Sequence, residues 1–155
     1  MQWDIVLRLG LAVICGSIIG LNRYLYRKDA GMRTNALVAL GAAMATMVVM
    51  DAHDSDSQAL SRVLQGLVTG VGFIGAGVIM REASGKHVRG LTTAASIWIS
   101  AILGIAMGAG DYPVGAVGLT FALLALVVGK PIEKALASWL TGDDDDNGHE
   151  TNRGD

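Results

Sequence analysis

This chain is short of charge: Asp, Glu, Lys and Arg make up only 17% of its 155 residues, against about a quarter in an ordinary soluble domain. It is also short of the residue types that build reactive or metal sites. Cys15 is the only cysteine, which excludes an intrachain disulfide and a zinc cluster built on thiolates. His53, His87 and His149 stand apart without H-x-x-x-H spacing, so no transition-metal motif is present. No Ser-His-Asp, Cys-His or paired-carboxylate constellation is visible, and neither an enzymatic activity nor a cofactor is expected. A net charge of −2, with no basic aromatic patch, argues against nucleic acid as a partner. Strand-like alternation is absent too, which excludes a membrane β-barrel.

What the chain has in plenty is apolar residues, at 52%, and glycine, at 21 positions. That pairing suits helices in lipid, where glycine lets backbones approach closely. The start of the chain does not read as a cleaved leader. Asp4 has the wrong charge for the first region of a signal peptide, Arg8 interrupts the apolar start, and Ile14 before Cys15 spoils a lipoprotein site. A retained first helix is expected.

Glycine is densest in Gly70-Val71-Gly72-Phe73-Ile74-Gly75-Ala76-Gly77, where Gly70, Gly72 and Gly75 satisfy the G-x-G-x-x-G dinucleotide pattern. That motif requires a preceding strand and an acidic residue about 20 positions later. The positions at that distance, Ala94 to Trp98, hold no acid, and nothing upstream reads as a βαβ strand. The octet instead lies inside the apolar run from Val63 to Met80, broken by Gln65 alone. It reads as part of a membrane span.

A spanning helix needs about 20 mostly apolar residues. Five stretches come near that length: Ile5 to Leu21, Ala36 to Met50, Val63 to Met80, Leu91 to Gly110 and Val114 to Gly129. The connections alternate in charge. Arg23, Arg27, Lys28 and Arg33 outweigh Asp29 in the first, and Arg81, Lys86 and Arg89 outweigh Glu82 in the third. Asp51, Asp54 and Asp56 face Arg62 in the second, and Asp111 stands alone in the fourth. Because basic loops stay inside, the expected fold is an all-α integral membrane protein of five transmembrane helices, with the N-terminus outside and the C-terminus cytoplasmic. The membrane domain is expected over residues 1–135. Residues 136–155, with the run Asp143 to Asp146, are expected to form an acidic, disordered cytoplasmic tail.

Candidate functional residues fall in three groups. Small residues at helical spacing mark helix-packing faces: Gly16 and Gly20 in the first helix, Gly66, Gly70, Gly72, Gly75 and Gly77 in the third, Gly104 and Gly108 in the fourth. In the fourth helix, Thr93, Ser96 and Ser100 continue the stripe, which either packs against a neighbour or lines a solute path. Arg8 and Asp51 are a plausible outer-side pair, the alternative being Arg8 reaching out to lipid phosphate. On the cytoplasmic side, Arg33, Thr34 and Asn35 enter the second helix and Arg89, Thr92 and Thr93 the fourth, with Arg23 close by. Helix N-termini favour anions, so this cluster suits a phosphate, a lipid headgroup or a partner's carboxylate, while Thr34, Thr92 and Thr93 also qualify as simple caps.

Four segments carry a family resemblance. Ile19-Gly20-Leu21-Asn22-Arg23, Ala30-Gly31-Met32-Arg33-Thr34-Asn35-Ala36-Leu37-Val38, the octet extended through Val78-Ile79, and Val88-Arg89-Gly90-Leu91-Thr92-Thr93-Ala94-Ala95 closely resemble the MgtC/SapB family of bacterial inner-membrane proteins, in order and over residues 5–130. The resemblance implies five helices, a multi-pass inner-membrane location and a link to magnesium homeostasis, stress and intracellular survival. It also implies, for virulence-associated members, effects on the F-type ATP synthase and on membrane potential. Two departures stand out: Asn22 replaces the acidic residue usual in the first motif, and the acidic tail stands where longer members carry an ACT-type domain, which points to the short SapB-like form. The expected function is therefore non-enzymatic binding of another membrane complex such as the ATP synthase, within the lipid bilayer and with homo-oligomerisation as a further option. The alternative is a small oligomeric transporter or ion conduit for magnesium or protons.

Overall fold

The computed structural model describes residues 2–52, 57–81 and 88–140. They form five helices, α1 (Gln2–Leu25), α2 (Met32–Ala52), α3 (Ser57–Gly77), α4 (Leu91–Ala109) and α5 (Tyr112–Leu140), with a short hairpin of β1 (Met80–Arg81) and β2 (Val88–Arg89) between α3 and α4. All five helices are long and apolar enough to cross a bilayer. Each of the five expected spans holds a helix: α1, α2 and α5 run several residues further than expected, and α3 starts earlier but stops at Gly77, short of the expected Met80. The hairpin, in which Met80 pairs with Arg89 and Arg81 with Val88, is the one strand element among the described residues and is not expected from the sequence. α5 continues through Leu140, past the start expected for a disordered tail at residue 136. Asp54, Asp56, His53, His87 and the run Asp143 to Asp146 lie outside the described residues.

The core is built by α1, α2 and α4. Ala12, Cys15 and Ile19 of α1, Ala39, Ala42 and Ala43 of α2, and Ile97, Ala101, Leu103 and Met107 of α4 are all buried. These are mostly small side chains, so the three backbones approach closely, and the glycines show how closely. A Cβ built on Gly104 would run into the Ala39 carbonyl, one on Gly108 would lie 2.6 Å from the Ala43 carbonyl oxygen, and one on Gly16 would strike the Asn35 carbonyl. Gly20 meets the turn before α2, with its notional Cβ 2.5 Å from Met32 Cα. No real Cβ fits at such distances, so these four positions set the helix spacing.

α4 is the central element, and its two ends are fixed by left-handed glycines. Gly90, at φ 92°, precedes its first turn, and any side chain there would strike the Val78 carbonyl. Gly110, at φ 81°, closes its last turn: its N–H donates to Met107 and that of Asp111 to Ala106, a Schellman arrangement. α3 and α5 pack on the outside. Val71 and Gly75 are the buried residues of described α3, and Gly115 that of α5.

Candidate functional site

Polar groups are rare in the core: Thr46 returns its hydroxyl to Ala42 O within α2, and the other five form one connected ladder. Asn35, fully buried near the start of α2, donates from Nδ2 to the carbonyls of Ala30 and Gly31, the latter at 3.0 Å. Its Oδ1 accepts the Ser100 hydroxyl at 2.9 Å. With two carbonyls on one side and a hydroxyl on the other, the amide orientation is fixed by its partners. Ser100 also donates to Ser96 O at 2.9 Å, and Ser96 donates to Thr93 O at 2.8 Å. At the end of this ladder the Arg23 Nη2 donates to Thr93 Oγ1 at 2.6 Å. Ser and Thr returning a hydroxyl to the preceding turn is the usual way such groups are satisfied in an apolar surround.

Arg23 therefore does not belong to the loop, where its charge suggested a place. It ends α1, is only 5% exposed, and its Nε is buried without any acceptor. The guanidinium lines a cavity of about 470 Å³ together with Asn22, Tyr26 and Lys28, the α4 start at Gly90, Leu91, Thr92 and Thr93, and α5 from Ala125 to Glu133. Gly90 brings no side-chain cap to α4. Thr92 and Thr93 are thus not the caps they qualified as, because they lie inside the helix rather than before it.

Arg33 and Thr34 sit elsewhere. Both are exposed and line a separate cavity of about 430 Å³ with Leu21, Tyr24, Gly31 and Met32. The two helix starts that the sequence placed side by side open on opposite flanks of the α1 end, Leu21 and Tyr24 on one and Asn22, Arg23 and Tyr26 on the other. What joins them is the buried ladder from Asn35 to Arg23. Arg89 lies on β2 with its residue exposed.

At the opposite end of the bundle Arg8 donates from Nη1 to Gly108 O at 3.0 Å, and its Nε lies 2.9 Å from Asp4 Oδ2. That second contact is too poorly aligned to count as a hydrogen bond and acts as an ion pair. The guanidinium rests against Gly110, on the negative end of the α4 dipole. Asp51, named with Arg8 from the sequence, lines the same cavity of about 500 Å³, whereas the ion pair of Arg8 among the described residues is with Asp4.

The glycines divide sharply. Gly16, Gly20, Gly104 and Gly108 are in tight backbone contact, and Gly75 meets Ala94 at ordinary distance, its Cβ at 3.4 Å from a notional Cβ. Gly66, Gly70, Gly72 and Gly77 have nothing within 4 Å of such a Cβ: Gly66, Gly70 and Gly77 lie on the face of α3 turned away from the bundle, and Gly72 on its flank. Among the described residues these four pack against no neighbour. The stripe of Thr93, Ser96 and Ser100 named from the sequence is on one face as expected, and its link through Ser100 to Asn35 is what the sequence did not show. Among the described residues no group of His, Cys, Asp and Glu could hold a metal ion.

Five spanning helices, a closed polar ladder in a small-residue core and charged side chains gathered at the two ends define a multi-pass helical membrane protein. The family model described as the MgtC family matches residues 9–135. The chain is 46% identical to Protein SrpB of Synechococcus elongatus, over 86% of this chain and 78% of that protein. It is 41% identical to Protein MgtC of Salmonella typhimurium over 72% of this chain, and 41% identical to Protein MgtC of Brucella abortus over 81%. The chain belongs to the MgtC family. It spans only about half the length of those two MgtC proteins, 46% and 51%. No solved structure matches it significantly.

Proposed function

We propose that this protein is a non-enzymatic component of the bacterial inner membrane, linked to magnesium homeostasis and to stress or intracellular survival, and that it acts by docking onto another membrane complex. The F-type ATP synthase is the first complex to test, on the strength of the family resemblance. The N-terminus lies outside and the C-terminus inside, as the alternation of basic and acidic connections requires.

The observation that carries the docking reading is the open face of α3. On one face of that helix Gly66, Gly70 and Gly77 have nothing among the described residues within 4 Å of a notional Cβ, while Gly16, Gly20, Gly104 and Gly108 of α1 and α4 touch backbone. Close backbone approach is what glycine provides in lipid, and a neighbouring transmembrane helix uses that provision. The conduit reading finds less support. Its best path was the polar stripe of α4, and Thr93, Ser96, Ser100, Gly104 and Gly108 are all buried against Arg23, Asn35, Ala39 and Ala43.

Photo-crosslinking from position 73, where Phe73 is 85% exposed, tests the proposal in magnesium-starved cells. A membrane-protein adduct that disappears with Gly70→Leu, on the same face as Phe73, is the expected result. Absence of any adduct from α3, together with magnesium or proton flux into liposomes holding this protein alone, would overturn it.

A further inference from the structure

The cavity at the end of α1 carries a second function, separate from docking by α3. The geometry points to an anion site there, built for a phosphate group that carries net negative charge.

Three observations converge. First, Arg23 is a permanent cation held 95% out of solvent, since its exposure is 5%. It has a bond to the neutral hydroxyl of Thr93 and an Nε that meets no acceptor. Burying a cation with its donors unmatched is costly unless an anion arrives. Asp29 attracts it electrostatically, yet no ion pair to Arg23 forms among the described residues. Second, the same cavity receives the start of α4, a helix of 19 residues whose N-cap is Gly90 with no side-chain cap. Its first-turn amides and the positive end of its dipole are therefore offered to the cavity. Third, Lys28 and the Thr92 and Thr93 side chains add donors to the lining, and Glu133 is its only carboxylate among the described residues. Thr93 Oγ1 accepts from Arg23 and so keeps its own proton to give.

Donors that converge from a guanidinium, an ammonium, hydroxyls and helix amides suit a tetrahedral group with several acceptor oxygens better than a planar carboxylate. The other wall of the cavity is apolar, with Ala125, Leu126 and Val127 of α5. A phosphate at the polar wall can thus be the headgroup of an anionic glycerophospholipid with its chain along α5, or free inorganic phosphate.

The test uses the full chain. Purified protein is titrated with inorganic phosphate and followed by thermal melting. In parallel it is placed in nanodiscs of phosphatidylglycerol mixed with phosphatidylcholine, and the retained lipid is read by native mass spectrometry. Stabilisation by inorganic phosphate identifies the free ion as ligand, and selective retention of phosphatidylglycerol without it identifies the headgroup. Asn22→Glu places a carboxylate in the cavity beside Arg23 and is expected to weaken either signal at least about tenfold. Lys28→Gln, at an exposed position where folding is not at risk, is expected to weaken it about threefold. No response to either probe, or binding undiminished by both substitutions, would overturn the site.

Discussion

Two sets of glycines in one chain behave in opposite ways. In α1 and α4, Gly16, Gly20, Gly104 and Gly108 lie against the backbone of α2 or of the turn before it, and α1, α2 and α4 close into a core of small side chains. In α3, Gly66, Gly70, Gly72 and Gly77 open onto empty space. Glycine in a helix interior costs about 1 kcal/mol relative to alanine, and close packing offsets that cost in the first set. Nothing among the described residues offsets it in the second. A glycine-rich transmembrane face is therefore not one signal: it reports contact already made in one helix and contact still available in another.

The contrast predicts its own largest effect. Gly104→Ala drives a methyl group into the Ala39 carbonyl, and neither rigid backbone can yield. Folded stability in detergent, followed by circular dichroism in a denaturant titration, should fall by about 3 kcal/mol or more. Gly66→Ala, which meets nothing, should not lower it at all. Equal losses at the two positions would erase the distinction between the faces.

The polar ladder marks the same side of the comparison, since it runs where α1, α2 and α4 touch. Asn35→Ala takes the side-chain donor from the Ala30 and Gly31 carbonyls and the Oδ1 acceptor from Ser100, leaving Gly31 its backbone N–H and Ser100 the Ser96 carbonyl, at a cost of about 1–3 kcal/mol. Ser100→Ala should cost less, about 1 kcal/mol, because the Asn35 donors keep both carbonyls. The double substitution should be less damaging than the sum, as expected for groups in direct contact. Full additivity would mean that the ladder is not cooperative.

Much of this is legible in the amino-acid sequence. Apolar run lengths locate all five helices, and the four-residue step from Ser100 to Gly104 and Gly108 locates the buried face of α4. The distinction between the two glycine sets is not legible there. Gly66 and Gly70 have the same spacing as Gly16 and Gly20, and spacing states which residues share a face, not which face meets a neighbour. Arg23 is equally opaque. Its neighbours Arg27 and Lys28 are exposed loop cations, and only the extension of α1 through Leu25 turns Arg23 inward to Thr93. The cluster of Arg33, Thr34 and Asn35 divides for a related reason: on a helix one turn separates a buried Asn35 from exposed neighbours.

A smaller effect is expected at the far end of α4. Arg8→Gln removes the cation from the Gly108 carbonyl and the helix terminus and should cost about 1 kcal/mol. The two nearby acids separate the possible partners. Asp4 is the ion-pair partner and is half exposed, so Asp4→Asn should cost about 0.5 kcal/mol. Asp51→Asn should cost less than that, since Asp51 only lines the cavity. A larger loss from Asp51→Asn than from Asp4→Asn would transfer the pairing to Asp51.

The smallest effect on stability is the most informative about function. Gly70→Ala adds a methyl group to a position with nothing within 4 Å and relieves the backbone entropy that glycine costs in a helix. Its melting temperature should equal or slightly exceed that of the parent. If α3 only faces lipid, growth in low magnesium should be equally unchanged, because one more methyl group among acyl chains is neutral. If α3 docks a partner helix at backbone distance, the same methyl group should weaken that contact, and Gly70→Leu should abolish it with folding intact. A stable Gly70→Leu protein that still supports growth in low magnesium and still yields the position-73 adduct would leave the open glycines without a purpose in docking. Loss of both in a fully folded protein would place the working surface of the molecule on the glycine face of α3 that its own core does not use.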